Sequence, residues 1–242
     1  MAMRRSEINA CIERAIGFFE RMGFPLPAWS RWSPRQWAEA GPAYEEVRRI
    51  GLGWDVTDFG SGDLARIGRT IFTLRNGKPA ASFPKSYAEK VMHLPPGQRS
   101  ITHYHKQKRE DIVCRGGRGV GIKLWQVADD GGASEEPLEL AIDGVARAIT
   151  AGEQITLAPG ESIHVPPRTY HQFYGLPGEE ETLSVEVSSV CDDEHDNFFI
   201  EPFGERFPEI IEDEPRRWVL CSEYDKSAQA VRSGEQGRGA GR

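Results

Sequence analysis

The stretch from Gly97 to Gly117 contains side chains that could bind a metal ion. His103 and His105 are one residue apart, so on a β-strand both imidazoles would point to the same face. Residues 106–109 then allow a turn, and Glu110 opens a second short run that can return antiparallel to the first. Two neutral imidazoles and a carboxylate that converge in this way suit Mn²⁺, Fe²⁺, Zn²⁺ or Co²⁺. The spacing predicts a divalent metal site, against the alternative that these are solvated turn residues.

A second stretch, from Gly160 to Gly175, contains a short strand, a proline-rich turn and then His171. The two stretches together resemble the paired motifs of the cupin superfamily. The first motif is matched position for position, at Gly97, His103, His105, Glu110 and Gly117. The second is matched at Gly160, Pro166 and His171, while Arg168 and Gly175 stand where glycine and asparagine are usual.

The cupin resemblance implies a jelly-roll β-barrel and makes His171 the fourth metal ligand. His164 precedes the turn by two residues and is out of register, so we do not expect it at the metal.

Composition excludes several classes of protein. The chain has 242 residues and a formal net charge of -7, with no basic block, which argues against a nucleic-acid partner. No apolar run approaches the roughly 20 residues of a membrane span. The N-terminus lacks the apolar core of a secretion signal. The four scattered cysteines show no Cys-x-x-Cys motif, which predicts thiols in a reducing cytoplasm.

The order of patterns along the chain predicts a mainly β protein with an N-terminal helical extension. Helical spacing covers residues 6–22 and 43–50, and Ser33-Pro34 is a typical helix start between them. We therefore predict a helical segment at 1–52 that packs on the sheet or on a partner subunit. Many short strands with turn signals follow, which predicts a sandwich or a barrel, and the cupin resemblance makes it a jelly-roll barrel at 53–225. Residues 226–242 have little to bury and are predicted to be disordered.

Two hairpins are predicted within the barrel. Asn76-Gly77, directly after an alternating run, is typical of a two-residue hairpin turn. Asp143-Gly144 lies between two further short strands and predicts a second one.

Two charged residues are predicted to face the barrel interior. Lys90 shares a strand face with Met92, and Glu186 has the opposite parity to Val185 and Val187. If those valines face outward, Glu186 lies in the lumen; the alternative is a solvent-facing position on the sheet. A metal, a lysine and a carboxylate around a polar cavity suit proton transfer on a hydroxy-carbonyl substrate through a cis-enediol.

A more specific resemblance covers residues 4 to 200, most of the chain. In order, the blocks RRSEINACIERAIGFF, LGWDVTDFGSGD, FTLRNG, SYAEK, THYHKQKREDIVCRGG, PGESIHVPPRTYHQFYG and SVEVSSVCDDEHDN resemble the D-lyxose ketol-isomerase family. The resemblance implies a Mn²⁺-preferring homodimer that interconverts D-lyxose and D-xylulose, with D-mannose and D-fructose as secondary substrates. It carries the metal ligands over to His103, His105, Glu110 and His171.

Catalytic and substrate-binding candidates follow from this interpretation. Lys90 is the first candidate for the group beside the metal that polarises the substrate or relays a proton. Glu186 is the first candidate for the base near the reacting carbons. Asp193, Glu201 and Arg216 are weaker candidates for sugar binding, against the alternative that they are solvated surface groups. Two other functions stay open from the residues alone: an iron-dependent cupin dioxygenase, since the same ligands serve Fe²⁺, and a non-catalytic sugar-binding cupin.

Overall fold

The computed structural model describes residues 2–78, 84–192 and 195–224. The predicted disordered tail at 226–242 and the candidate Asp193 lie outside the described residues.

Helices form in the N-terminal part of the chain, as the sequence predicts. They are α1 (Arg5–Arg21), α2 (Pro34–Glu39) and α3 (Glu45–Arg49). The α2 helix begins with the predicted cap, because the Ser33 hydroxyl accepts a hydrogen bond from the Gln36 backbone N–H. Where one helix was predicted for 43–50, the chain forms a 3₁₀ turn at Pro42–Tyr44 followed by the short α3 helix.

Strands dominate the rest of the chain. Within the described ranges these are β1 (Met3–Arg4), β2 (Gly53–Thr57), β3 (Arg69–Arg75), β4 (Tyr87–Leu94), β5 (His103–His105), β6 (Glu110–Gly117), β7 (Val120–Gln126), β8 (Leu138–Ile142), β9 (Val145–Ile149), β10 (Ile155–Leu157), β11 (Ser162–Val165), β12 (Thr169–Gly175), β13 (Thr182–Ser189), β14 (Asn197–Phe199) and β15 (Ile210–Ile211).

Two antiparallel sheets build the barrel. An eight-stranded sheet has the order β2-β3-β4-β13-β6-β11-β8-β9, and a five-stranded sheet has the order β10-β7-β12-β5-β14. One apolar core joins them, since Met92 and Ile112 of the larger sheet share it with Ile122, Leu124 and Phe173 of the smaller sheet. This is the two-sheet arrangement of the predicted jelly roll.

The two faces of the eight-stranded sheet have different neighbours, because successive side chains alternate across a strand. Val91 and Val185 point outward and share a second core with Ile12 and Phe19 of α1. The N-terminal helix therefore packs on the chain's own sheet, which was one of the two predicted alternatives. Met92 points inward.

The two predicted hairpins have different outcomes. Asp143 and Gly144 adopt positive φ values of 49° and 79° and join β8 to β9, as predicted. The two-residue turn predicted at Asn76-Gly77 is wrong: β3 does pair antiparallel with the next strand, β4, but β4 begins only at Tyr87. Asn76 is instead buried, and its side-chain amide donates a hydrogen bond to the Cys191 carbonyl oxygen (3.3 Å).

No helix among the described residues has the length and apolar character needed to cross a bilayer.

Candidate metal centre

Three histidines meet on the inner side of the five-stranded sheet. His103 and His105 lie on β5 with one residue between them, and His171 on the neighbouring β12 lies directly opposite His103 in the ladder. One ring nitrogen of each histidine lies within 4.8 Å of the others. The two-residue period of one strand and the register of the next therefore bring three imidazoles to one point.

Backbone carbonyls fix the orientation of all three rings. The Nδ1 atoms of His103, His105 and His171 lie 3.0 Å, 3.1 Å and 3.0 Å from the carbonyl oxygens of Ile101, Asp196 and Thr169. A proton on each Nδ1 satisfies these carbonyls and leaves Nε2 with its lone pair toward the common point. Burial, reinforced by the neighbouring imidazoles and the Lys108 ammonium, lowers the pKa of His103 and His105 well below the ordinary value, so both rings are neutral.

Glu110 completes the set from the other sheet. It is the first residue of β6, and it lies 2.9 Å from His171 Nε2 through Oε1 and 3.8 Å from His105 Nε2 through Oε2. Although burial opposes ionisation, the Lys108 ammonium and the imidazoles hold the pKa of Glu110 well below its usual range.

This donor set fits a divalent cation. The Nε2 atom of His105 is buried and has no hydrogen-bond partner among the described residues, which is an unfavourable arrangement for an imidazole that binds nothing. Three neutral imidazoles and one carboxylate are suitable ligands for Mn²⁺, Fe²⁺, Co²⁺ or Zn²⁺.

Lys108 is a buried charge that the sequence interpretation missed. Its ammonium lies 2.5 Å from Glu110 Oε2 and 2.8 Å from Glu186 Oε1. Burial alone would lower the pKa of Lys108, but the two carboxylates hold it well above its ordinary value. The sequence predicts only a turn at 106–109, and Lys108 lies in that turn, between the end of β5 at His105 and the start of β6 at Glu110, so no strand alternation indicates its burial.

Lys90 and Glu186 lie together in the interior. They are directly opposite each other on β4 and β13, and the Lys90 ammonium is 4.0 Å from Glu186 Oε1. Their side chains are only 5% and 8% exposed, so the alternative of a solvent-facing Glu186 does not hold. Both line a cavity that is open to solvent, together with His103, His105 and Glu110.

Two arginines that the sequence interpretation did not single out also line this cavity. Arg69 is buried on β3, and its guanidinium group stacks over the ring of Phe173, with 3.9 Å between the guanidinium carbon and the ring centre. Burial lowers the pKa of Arg69 to about 9. Arg206 forms a buried ion pair with Asp55, one of the acids of the LGWDVTDFGSGD block. Arg69 shares strand parity with the inward-facing Ile71, which is the pattern that could have identified it.

The weaker substrate-binding candidates that the structure describes lie outside the cavity lining. Glu201 Oε1 accepts hydrogen bonds from Arg99 (2.8 Å) and the Thr102 backbone N–H (3.1 Å), so it supports the segment that leads into His103. Arg216 forms an ion pair with Glu212, on a surface where Glu212 also binds the buried Arg5. Arg216 thus takes part in anchoring the C-terminal segment to α1.

His164 is away from the metal ligands, as its register predicted. Its Nδ1 atom lies 2.9 Å from Asp111 Oδ1, and both side chains are about half exposed.

Comparison with known proteins decides among the functions left open. The family model for D-lyxose isomerase matches residues 3–224. The chain belongs to the D-lyxose isomerase family. A D-lyxose/D-mannose isomerase of Escherichia coli O157:H7 is 43% identical over 224 residues, which cover 92% of this chain and 98% of the relative. A D-lyxose ketol-isomerase of Cohnella laeviribosi is 31% identical over 72% of this chain and 96% of the relative. Family membership makes this protein an enzyme, an intramolecular oxidoreductase of the sugar isomerase type.

Solved structures confirm the fold. The L-ribose isomerase of Cellulomonas parahominis, solved with L-ribose, aligns with a TM-score of 0.55 at 16% identity and covers 87% of this chain and 99% of that one. The L-ribose isomerase of Geodermatophilus obscurus aligns with a TM-score of 0.56 at 17% identity over similar shares. The predicted jelly-roll barrel with an N-terminal helix is thereby confirmed, and members of the D-lyxose isomerase family share it with these enzymes.

Proposed function

We propose that this protein is a metal-dependent aldose–ketose isomerase that interconverts D-lyxose and D-xylulose, and also D-mannose and D-fructose. Its curated relatives are named D-lyxose/D-mannose isomerases. The observation that carries the proposal is the convergence of three imidazoles with Glu110 beside a cavity that Lys90 and Glu186 also line. A polar, charged lining suits a polyol better than the apolar substrates of a dioxygenase, so the isomerase is favoured.

The proposed ligands of the metal are His103, His105, Glu110 and His171. Mn²⁺ is the first candidate, and Zn²⁺, Co²⁺ and Fe²⁺ suit the same donors. A bound divalent ion would hold neighbouring oxygens of the open-chain sugar and polarise its carbonyl group.

Proton transfer is assigned to the chain's own side chains. Glu186 removes the proton from the carbon next to the carbonyl while the carbonyl oxygen gains a proton, which gives a cis-enediol. It then returns the proton to the other carbon as the neighbouring hydroxyl group loses its own proton and becomes the new carbonyl. Lys90 and Lys108 each place an ammonium within 4.0 Å of Glu186 Oε1. Lys90 also lines the cavity and can donate a hydrogen bond to a substrate oxygen where negative charge develops.

The test of this function is a solvent-exchange experiment. Metal-stripped protein is reloaded with Mn²⁺, mixed with D-lyxose in D₂O and followed by proton NMR. We expect D-xylulose that carries deuterium on carbon 1, because the abstracted proton exchanges with solvent. D-xylulose without deuterium would replace the enediol route by a hydride shift or a shielded base. Failure to turn over D-lyxose and D-mannose with metal bound, together with oxygen uptake on a phenolic or diketone substrate, would support the dioxygenase instead.

The proposed metal ligands have a matched control within the chain. The variant His103→Ala is expected to lose both bound metal, measured by mass spectrometry of the dialysed protein, and isomerase activity. His164→Ala removes a half-exposed imidazole that pairs with Asp111 and should retain both. Full activity of His103→Ala in metal-free protein would refute the proposal.

We also propose a homodimer in the cytoplasm. The family resemblance implies the dimer, and light scattering during gel filtration would measure it. The four cysteines are present as thiols, which supports a reducing compartment.

A further inference from the structure

The two carboxylate oxygens of Glu186 have different surroundings. Oε1 accepts hydrogen bonds from the Lys108 ammonium (2.8 Å) and the Cys191 thiol (3.6 Å). The Ser188 hydroxyl lies 3.1 Å from the same oxygen, but its single proton has a shorter acceptor in the Ser189 carbonyl oxygen at 2.8 Å. The Lys90 ammonium is 4.0 Å from the same oxygen. Each contact that we find for Glu186 in the described part of the chain therefore falls on Oε1, and none of them engages Oε2.

The side chain of Asn76 fixes the backbone of Cys191. This clamp is made by the buried Asn76 side chain, whose Oδ1 accepts from the Cys191 N–H (3.0 Å) and whose amide donates to the Cys191 carbonyl oxygen (3.3 Å). Asn76 follows β3, and Cys191 follows β13 by two residues. The clamp thus fixes the start of the loop after β13 against the end of β3 and directs the thiol toward Glu186.

We propose that Cys191, clamped by Asn76, is a positioning residue for the Glu186 carboxylate, and that Oε2 is the oxygen that exchanges the proton with the substrate. This inference rests on the proposed isomerase function. The Lys108 ammonium and the Cys191 thiol occupy the two lone pairs of Oε1, so the oxygen with remaining acceptor capacity is Oε2. A carboxylate held through one oxygen keeps the other at a constant angle to the reacting carbons, and misplacement of about 1 Å can reduce a rate roughly 100-fold.

Cys191 does not line the cavity. Its thiol contacts Glu186 and Ser188, and of these two side chains Glu186 lines the cavity. A loss of the thiol donor should therefore lower kcat and leave KM unchanged. If the replacement only damaged the packing, the change in kcat would not depend on whether the new side chain can donate a hydrogen bond.

The kinetic test compares three variants of the Mn²⁺-loaded enzyme. Cys191→Ala removes the donor, and we expect kcat to fall about 10-fold at constant KM and constant bound metal. Cys191→Ser keeps a donor at the same place and should recover kcat to within about threefold of wild type. Cys114→Ala removes a fully buried thiol from the apolar core and controls for the loss of a thiol as such. Equal kcat values for Cys191→Ala and Cys191→Ser, whether high or low, would overturn the proposal.

A second measurement does not depend on turnover. In the infrared spectrum, the S–H stretching band of Cys191 is identified by its absence in Cys191→Ala. A thiol that donates to a carboxylate absorbs at lower wavenumber than one that does not, so the band should move to higher wavenumber in Glu186→Gln. A band that stays in place would refute the contact even if the enzyme is active. A band that moves in a protein that does not isomerise sugars would retain the contact and reject the proposed function.

Discussion

Replacement of Lys108 by methionine tests how the interior charges are balanced. The Lys108 ammonium is buried between two carboxylates, at 2.5 Å from Glu110 and 2.8 Å from Glu186. At an effective dielectric constant of about 20, each contact is worth roughly 6 kcal/mol before desolvation is subtracted. Desolvation of the three charges removes most of this gain. Removal of one partner still leaves the others buried and uncompensated, which typically reduces stability by about 3–5 kcal/mol.

The loss of stability caused by Lys108→Met is expected to be largest in metal-free protein. We expect Lys108→Met to lower the free energy of unfolding by about 3–5 kcal/mol when EDTA is present. For a chain of this size, the corresponding decrease in Tm is roughly 6–20 °C. Saturating Mn²⁺ should reduce the deficit, because a divalent cation beside Glu110 replaces part of the lost positive charge and stabilises the folded state that binds it.

The assay is urea denaturation followed by tryptophan fluorescence, with and without metal. Lys106→Met is the matched control, since Lys106 lies two residues earlier in the same turn and is exposed. Its free energy of unfolding should stay within about 0.5 kcal/mol of wild type. If metal-free Lys108→Met is as stable as Lys106→Met, the charge balance derived from these contacts is wrong.

Two further predictions concern stability outside the metal centre. Ile12→Ala opens a cavity where α1 packs on the sheet and should lower the free energy of unfolding by about 2–5 kcal/mol in urea titrations, whereas the exposed Val145→Ala should change it little. Burial, opposed by Glu181, lowers the pKa of His93, so the unfolded chain takes up the proton first as pH falls. The stability from neutral His93 is present above about pH 6.5 and decreases below it, by at most about 1.4 kcal/mol per pH unit. His93→Gln should flatten this dependence, but the exposed His195→Gln should not; equal slopes below pH 6.5 in urea titrations of both variants would contradict the assignment.

Local patterns were enough for most of the elements and for three of the four proposed metal ligands. The His-x-His pair and the acid after a short turn predicted the convergence of His103, His105 and Glu110, because strand alternation operates over two residues and needs no knowledge of distant parts of the chain. Parity also predicted the interior positions of Lys90 and Glu186. The helical period of residues 6–22 predicted α1, because the spacing of its apolar residues defines an apolar face whichever part of the protein packs against it.

The sequence by itself thus predicted most element types and the convergence of His103, His105 and Glu110, because each depends on spacing within one short segment. The family followed from the order of several blocks between residues 4 and 200. Only the tertiary structure decided which segments meet. Lys108 belongs to a turn whose burial depends on β13, and Asn76 has the local signal of a hairpin but clamps Cys191, 115 residues away. The same is true of Arg206, which reaches the cavity through its ion pair with Asp55. Contacts of this kind arise from strand order and sheet closure, so no local period encodes them.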